Sequence, residues 1–278
     1  MGLFFIFLGG NMKRLWIVAV LFGTPVFAGS SEVTVLGEKA AGVLRLGQDN
    51  DPGVELIGGV VTSAEYPGVF YTRQGSSRCT GTVIGQRVVV SAAHCMSNGG
   101  ALELTHAGKV YKGKCTHAPE YRGNSTADWA LCLLSEEIPD AIAESINVDA
   151  SRLAVGGQIV LMGYGCVQNG GGGGNDGKLR VGAAPITRLP SGTNYDIVTR
   201  GKSALCYGDS GGPSFYVDSE TGERWQTGVN SRGDIQTTSY LSSLHNQTVQ
   251  RFLSTWSDSN GVLICGVHAA APGCREIP

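Results

Sequence analysis

Eight cysteines restrict the folds open to this chain more than any other feature of its sequence. They stand at positions 79, 95, 115, 132, 166, 206, 265 and 274, all downstream of a candidate export signal. An even number of cysteines in an exported chain indicates disulfides formed in an oxidising compartment. No Cys-x-x-Cys pair or histidine cluster has the spacing of zinc ligands, so we expect no metal and no cofactor.

The first 28 residues have the pattern of an export signal. Lys13-Arg14 is a basic start, residues 15–22 are an apolar run, and residues 26–28 (Val-Phe-Ala) fit a cleavage site. The run is well short of the roughly 20 apolar residues that span a membrane, which disfavours the alternative of an anchor. Met12 is a second candidate start of translation. We therefore predict a secreted or periplasmic protein with no stable membrane insertion after signal removal.

Composition favours an all-β protein with many turns. The 278 residues include 42 glycines, and only 16% are charged. A net charge of −2 with scattered basic residues gives no reason to expect a nucleic-acid partner. Residues 29–55 are poor in aromatics and rich in Gly, Glu and Asp, so we expect a short propeptide or linker there.

One serine stands in an unusual loop. Residues 206–213 read Cys-Tyr-Gly-Asp-Ser-Gly-Gly-Pro, with Ser210 between glycines. Glycine permits backbone conformations in which several N–H groups point inward together, where they can hold an oxyanion beside a nucleophilic serine. Gly-Asp-Ser-Gly alone would equally suit a plain turn. The full octet, with a histidine and an aspartate upstream, favours catalysis.

The upstream partners are His94 and Asp128. A β-rich run, residues 87–91, leads into Ala-Ala-His94-Cys, and Asp128 opens the segment Asp-Trp-Ala-Leu. A histidine side chain can exchange a proton near neutral pH, as a general base must. A structural histidine and a strand-capping aspartate are the alternatives. With the octet, these motifs in the order His, Asp, Ser resemble the chymotrypsin/trypsin-like serine peptidases.

The resemblance covers residues 56–256 and implies two six-stranded antiparallel β-barrels, a C-terminal α-helix, and a catalytic cleft between the barrels. It implies that Ser210 is the nucleophile, that His94 is the general base, and that Asp128 orients the imidazole. The backbone N–H groups of Gly208 and Ser210 would form the oxyanion hole.

Residues 56–59, Leu-Ile-Gly-Gly, resemble the start of a mature peptidase of this family. The resemblance implies a zymogen in which cleavage after Glu55 frees the α-amine of Leu56 to pair with Asp209 and order the oxyanion loop. Leu56 replaces the usual Ile or Val, and Glu55 replaces a usual basic residue. A strand start with a glycine bend is the alternative.

The cysteines can be paired with the help of the same resemblance. It implies a disulfide that closes the loop ending beside His94, whereas the second pair is our inference from two strands expected to be antiparallel neighbours. The third pair would join two loops that border the active site, and the last follows by elimination. The expected disulfides are Cys79–Cys95, Cys115–Cys132, Cys166–Cys206 and Cys265–Cys274.

The substrate pocket departs from the trypsin-like pattern. Ala204 stands where trypsin-like relatives have an aspartate at the pocket base, so a Lys or Arg side chain would enter without a partner. We expect poor cleavage after Lys or Arg and a preference for small or medium apolar residues. Arg232, in place of a usual aromatic, could instead pair with an acidic substrate residue, and cleavage after Glu55 would then be self-activation. The expected pocket residues are Ala204, Leu205, Ser231, Arg232, Gly233 and Thr238, with Ser231 also supporting Asp128.

Two further segments complete the description. Residues 245–256 have apolar positions at helical spacing, with Asn246 as the N-cap, and resemble the family's C-terminal helix. Residues 257–278 extend beyond the usual end of the family. Many relatives bind calcium in a loop with paired acidic residues, but here Glu103 stands alone, so we expect no structural calcium.

The sequence thus predicts a monomeric serine endopeptidase that acts on proteins or peptides. A catalytically silent binding module on the same fold is one alternative, and an adhesin or toxin that uses the C-terminal extension is another. The presence of all three triad residues favours the peptidase. Reaction with a serine-directed phosphonate would separate an active peptidase from both alternatives.

Overall fold

A computed structural model describes residues 56–62, 66–174, 176–269 and 271–275. The predicted signal and propeptide, residues 1–55, lie outside the described residues. The strands of the described part are β1 (Val60–Val61), β2 (Val69–Gln74), β3 (Ser77–Gly85), β4 (Val88–Ser91), β5 (Ala101–His106), β6 (Lys109–His117), β7 (Ala130–Leu134), β8 (Gln158–Gly163), β9 (Arg180–Arg188), β10 (Asp196–Arg200), β11 (Pro213–Val217), β12 (Arg224–Gly233) and β13 (Thr238–Ser243). The helices are α1 (Gln247–Asn260) and three short 3₁₀ helices, Ala93–Cys95, Pro119–Arg122 and Ala150–Arg152.

The first six strands after β1 close into an antiparallel barrel in the order β2-β3-β4-β7-β6-β5. Strand β4 reads Val-Val-Val-Ser and is buried along its whole length, because β3 and β7 flank it. β-branched residues suit such a position, since their stiff side chains pack well on a pleated surface. The chain leaves β4 directly toward His94, so a rigid strand positions the histidine.

Strands β8 to β13 form the second antiparallel barrel in the order β9-β10-β13-β12-β11-β8, and the pairing of β8 with β9 closes it. Strand β1 joins from outside by pairing Val60 with Val181 of β9. The prediction of an all-β fold with two six-stranded barrels and a C-terminal helix is confirmed.

Helix α1 begins and ends at recognisable caps. The Asn246 side chain accepts a 2.9 Å hydrogen bond from the Val249 N–H, as the sequence predicts for an N-cap. Gly261 ends the helix with a left-handed φ of 61°, a conformation that glycine adopts without strain. The helix therefore reaches Asn260, four residues beyond the predicted end at Trp256, because no chain breaker precedes Gly261.

The segment after α1 is bound to the first barrel and to the chain that connects the barrels. The Cys265 N–H donates to the Ile84 carbonyl at 2.8 Å, and the Cys265 carbonyl accepts from the Ile146 N–H at 2.9 Å. Farther on, Ala143 exchanges backbone bonds with the segment around Cys274. Within the described residues, no helix is long and apolar enough to cross a membrane.

Four disulfides are present, and the described part of the chain contains no free cysteine. One of them links residues that lie directly opposite each other on β6 and β7. Another ties the loop after β8 to the loop that carries Ser210. The pairs are the four named above: Cys79–Cys95, Cys115–Cys132, Cys166–Cys206 and Cys265–Cys274.

Candidate active site

His94 and Asp128 meet at the mouth of the first barrel. The His94 Nδ1 atom lies 2.6 Å from Asp128 Oδ2, and the His94 backbone N–H donates to Asp128 Oδ1 at 2.9 Å. The Asp128 side chain is 3% exposed, whereas that of His94 is 39% exposed. Because a carboxylate only accepts hydrogen bonds, Nδ1 carries the proton and Nε2 is left as the basic atom facing the cleft.

Asp128 is held from the second barrel as well. The Ser231 hydroxyl donates to Asp128 Oδ2 at 2.6 Å, and the Asp128 N–H donates to Ser242 Oγ at 3.1 Å. Strands β12 and β13 supply these serines, so both barrels fix the carboxylate. The structure thus places Ser231 where the sequence analysis expected a support for Asp128.

Ser210 lies in the loop before β11 and is half-buried. Its hydroxyl donates a long hydrogen bond of 3.4 Å to the Ser231 carbonyl. Among the described residues, no hydrogen bond joins Ser210 to His94, and Nε2 has only the disulfide sulfur of Cys95 at 3.9 Å. Catalytic hydrogen bonds are often unmade before substrate binds.

The loop around Ser210 has a shape that depends on glycine. Gly208 and Gly211 have φ values of 104° and 83°, in a region that side chains rarely adopt. Thr80 of the first barrel holds the loop, because its N–H donates to the Ser210 carbonyl at 2.8 Å and its hydroxyl to the Gly208 carbonyl at 2.9 Å.

Two backbone donors in this loop remain open. Within the described chain, neither the Gly208 N–H nor the Ser210 N–H donates to a protein acceptor, although the N–H groups of Asp209, Gly211 and Gly212 all do. Unused amides flanking a serine can hold the negative oxygen of a tetrahedral intermediate. These are the two donors that the sequence analysis assigned to an oxyanion hole.

Asp209 belongs to this loop, directly before Ser210, and is fully buried. Its carboxylate accepts 2.8 Å hydrogen bonds from the N–H groups of Gly165 and Cys206. Burial raises the pKa of Asp209 to about 7, opposed by these two N–H groups and by the charge of Arg180. The Arg180 side chain is itself fully buried and binds Asp176 at 2.8 Å. Sequence reasoning missed Arg180, because nothing near it in the chain marks it as a neighbour of Asp209.

The segment starting at Leu56 lies against the expected pocket base. The Ile57 carbonyl accepts a 3.0 Å hydrogen bond from the Ala204 N–H, and the Ser203 hydroxyl donates to the Gly58 carbonyl at 3.1 Å. Leu56 is fully buried in the core of the second barrel, with a left-handed φ of 67°. In the uncleaved chain its nitrogen is a peptide nitrogen, which carries no charge and cannot form the expected ion pair with Asp209.

Two of the expected pocket residues, Ala204 and Leu205, are buried and apolar. Ala204 is fully buried and packs with Ile57 and Ile235 in a small apolar cluster that includes the Cys166–Cys206 disulfide. Leu205 is also buried, and its N–H donates to Ser239 Oγ at 3.0 Å. Gly233 and Thr238 lie on neighbouring strands, and a Cβ at Gly233 would come within 2.6 Å of the Thr238 carbonyl. The close strand approach requires glycine there.

Arg232 is bound within the protein. Its Nη2 lies 2.6 Å from Asp196 Oδ2, its Nη1 donates to Ser231 Oγ at 3.3 Å, and its guanidinium lies over the Tyr240 ring. Asp196 was missed by the sequence analysis, which considered an acidic substrate residue as the partner of Arg232. The guanidinium already has an internal carboxylate partner.

Potential metal ligands come together in one group of the described residues, Cys79, His94 and Cys95. The two sulfurs are bonded to each other, so neither is a thiolate that could bind a metal. Glu103 forms a 2.8 Å ion pair with Lys112.

Two closed β-barrels, with a buried aspartate bonded to a histidine and a serine in a glycine-rich loop, define the class of the chymotrypsin-like proteins. The sequence model of the family described as Trypsin matches residues 58–254. The chain belongs to the trypsin family.

Curated relatives agree. The chain is 28% identical over 187 residues to the Anopheles gambiae protein named serine protease SP24D, covering 58% of this chain and 68% of the relative. It is 28% identical over 204 residues to a trypsin-like protease of Streptomyces glaucescens, covering 64% and 73%. A trypsin of Phaedon cochleariae is 27% identical over 201 residues, covering 60% and 76%.

Proposed function

We propose that this protein is an exported serine endopeptidase that hydrolyses peptide bonds through an acyl-enzyme on Ser210. One observation carries the proposal. Asp128 is buried and bonded to both His94 and Ser231, and the N–H groups of Gly208 and Ser210 in the serine loop are unoccupied. Geometry and backbone donors of this kind serve acyl transfer, and trypsin-family membership agrees with it.

In the proposed reaction, His94 Nε2 takes the proton of the Ser210 hydroxyl as its oxygen attacks the scissile carbonyl carbon. The carbonyl oxygen becomes an oxyanion held by the Gly208 and Ser210 N–H groups, each worth roughly 10²–10³ in turnover. Protonated His94 then donates its Nε2 proton to the leaving amine as the peptide C–N bond breaks. Water, activated by the same histidine, hydrolyses the acyl ester and restores Ser210. Asp128 keeps Nδ1 protonated throughout.

The proposal extends to the whole chain. Residues 1–28, with a start possible at Met12, are the export signal, and residues 29–55 are a propeptide or linker. Residues 56–256 form the peptidase domain, and residues 257–278 are a disulfide-stapled extension. Cleavage before Leu56 converts a zymogen to a monomeric enzyme in which the new α-amine pairs with Asp209. The substrates are proteins or peptides with a small or medium apolar residue before the cut, because Ala204 and Leu205 are buried and apolar.

The test is the replacement Ser210→Ala, with Ser219→Ala as its matched control at an exposed turn. We expect wild type and Ser219→Ala to hydrolyse casein and to take up one serine-directed phosphonate per chain. Ser210→Ala should do neither, while its thermal unfolding stays unchanged. Hydrolysis by Ser210→Ala within tenfold of wild type would refute the assignment. Folded wild type that has been cleaved before Leu56 and still does not react with the phosphonate would instead favour a binding module.

A further inference from the structure

A chain of polar contacts continues from Asp128 through Ser231 and Arg232 to Asp196. Asp128 Oδ2 accepts from both His94 Nδ1 and the Ser231 hydroxyl, each at 2.6 Å. Ser231 Oγ in turn accepts from Arg232 Nη1 at 3.3 Å, and Arg232 Nη2 lies 2.6 Å from Asp196 Oδ2. Five side chains from both barrels therefore form one connected network.

Arg232 stands between two buried carboxylates. The side chains of Asp128 and Asp196 are each 3% exposed. Burial raises the pKa of Asp196, opposed by Arg232 and Arg188 and reinforced by the negative charge of Asp128. Two buried anions that interact need a cation between them, because an unpaired buried charge is strongly unfavourable. Arg232 supplies that cation.

The contact with Ser231 also fixes the direction of a proton. A hydroxyl has one hydrogen, and the hydroxyl of Ser231 donates it to Asp128. The oxygen lone pairs are then free to accept, and Arg232 Nη1 points at them. Arg232 is held in place by the Tyr240 ring, 4.9 Å from its guanidinium carbon, and by the Ser125 carbonyl at 3.5 Å.

We propose that Arg232 is a positioning residue for the His94–Asp128 pair, with Asp196 as its counter-ion, and that these two charges set the acid limit of activity. The proposal rests on the proposed function and deepens it. Arg232 opposes a positive charge on the imidazole, so it extends activity toward lower pH. The negative charge of Asp196 favours the protonated imidazole and so acts in the opposite direction. Because Asp196 is buried, its ion pair with Arg232 also keeps the guanidinium from moving out to solvent.

The other charged groups around the pair are few. Tyr121 faces Asp128 from the first barrel, and burial together with the Asp128 charge raises its pKa, so it stays neutral at working pH. Arg188 of β9 lies 3.9 Å from Asp196 with its side chain 55% exposed. Asp209 lies next to Ser210 in the loop. Arg188 therefore offers a control in which the same charge is lost from a solvated position.

The experiment measures kcat and KM against pH for Arg232→Gln, Arg232→Lys, Asp196→Asn and the double variant Arg232→Gln/Asp196→Asn, using an uncharged peptide. We expect Arg232→Gln to shift the acid limb of the pH–activity profile, where activity falls as pH is lowered, to higher pH by about half a unit or more. The same variant should change kcat more than KM. Arg232→Lys should keep the wild-type limb, and Asp196→Asn should move it down. The acid limb of the double variant should lie close to that of wild type. Among the single charge removals, Arg188→Gln should shift the acid limb least.

If Arg232 and Asp196 had a purely structural role, their variants would not shift the acid limb in opposite directions. If Arg232→Gln and Asp196→Asn move the acid limb in the same direction, or neither moves it, the charge account is wrong. If Asp196→Asn does not fold, Arg232→Gln against Arg232→Lys still decides, because equal pH profiles would overturn the proposal. Phosphonate labelling of wild type tests the proposed function separately. If wild type is labelled but the variants have unshifted pH profiles, only the role of Arg232 is refuted.

Discussion

Asp209 of the serine loop and Gly165 are in direct contact. The Gly165 N–H donates a 2.8 Å hydrogen bond to Asp209 Oδ1, and a Cβ at position 165 would lie 2.6 Å from the same oxygen. The carboxylate thus occupies space that only a residue without a side chain leaves open. Sequence comparison with the family draws attention to the aspartate, but the structure shows that its burial depends on Gly165 as well.

This burial predicts a pH dependence of stability in the uncleaved protein. The pKa of Asp209 is raised to about 7 in the fold and lies near its usual value of 3.8 when unfolded. Between those values the folded state keeps a proton that the unfolded state has lost, so the unfolding free energy falls as pH rises. The loss should be on the order of 2–4 kcal/mol between about pH 4 and 8. The unfolding free energy can be measured by urea unfolding at each pH, using Ser210→Ala because this variant cannot cleave itself before Leu56.

Asp209→Asn in the same Ser210→Ala background is the comparison. An amide does not titrate, so this contribution to the slope should vanish while the rest of the pH profile remains. Equal slopes with and without Asp209 would show that the carboxyl is already ionised in the fold.

Maturation is the second prediction. Because the Ile57 carbonyl already accepts from the Ala204 N–H at 3.0 Å, cleavage before Leu56 leaves the new terminus next to the serine loop. We expect N-terminal sequencing of the active enzyme to begin Leu-Ile-Gly-Gly. Active protein that begins near Gly29 would exclude the zymogen. Accumulation of uncleaved Ser210→Ala, beside processed wild type, would indicate self-activation.

The third prediction concerns which residue the enzyme prefers before the scissile bond, and substitution of Ala204 tests it. Matched peptides that differ only before the cut should be cleaved at least about tenfold faster with a small apolar residue than with Arg or Lys, because the fully buried alanine offers no counter-charge. Ala204→Asp should move this ratio toward Arg and Lys by about tenfold or more.

Ala204→Asn is the matched control, since it has the same size without the charge and should leave the preference for apolar residues in place. Wild-type enzyme that turns over Arg or Lys peptides fastest would contradict the apolar pocket. Fastest cleavage after Glu would instead favour a substrate role for Arg232.

Sequence reasoning could single out the features whose determinants are local. The octet around Ser210 and the segment at His94 are each shaped by immediate neighbours, and Asn246 caps α1 within three residues of its own position. Such features are written in a short stretch of chain, so pattern and residue type suffice to predict them. The family resemblance then gave the two barrels.

What the sequence did not reveal lies in pairs that only barrel closure brings together. Arg232 and Asp196 are 36 residues apart and meet because β10 and β12 both pair with β13. Arg180 lies near Asp209 because β9 pairs with β8, whose Gly163 also borders the carboxylate. No periodicity marks these residues, since each is one charged side chain in a strand.

The left-handed φ of 67° at Leu56 exists only while residue 55 is attached, because that angle is defined by the preceding carbonyl carbon. An L-residue held in this region costs on the order of 1–2 kcal/mol. The proposed cut removes the dihedral itself, and with it the cost. Processing before Leu56 would therefore release this backbone strain. Re-forming the peptide bond between residues 55 and 56 would have to restore it, which disfavours the reverse reaction.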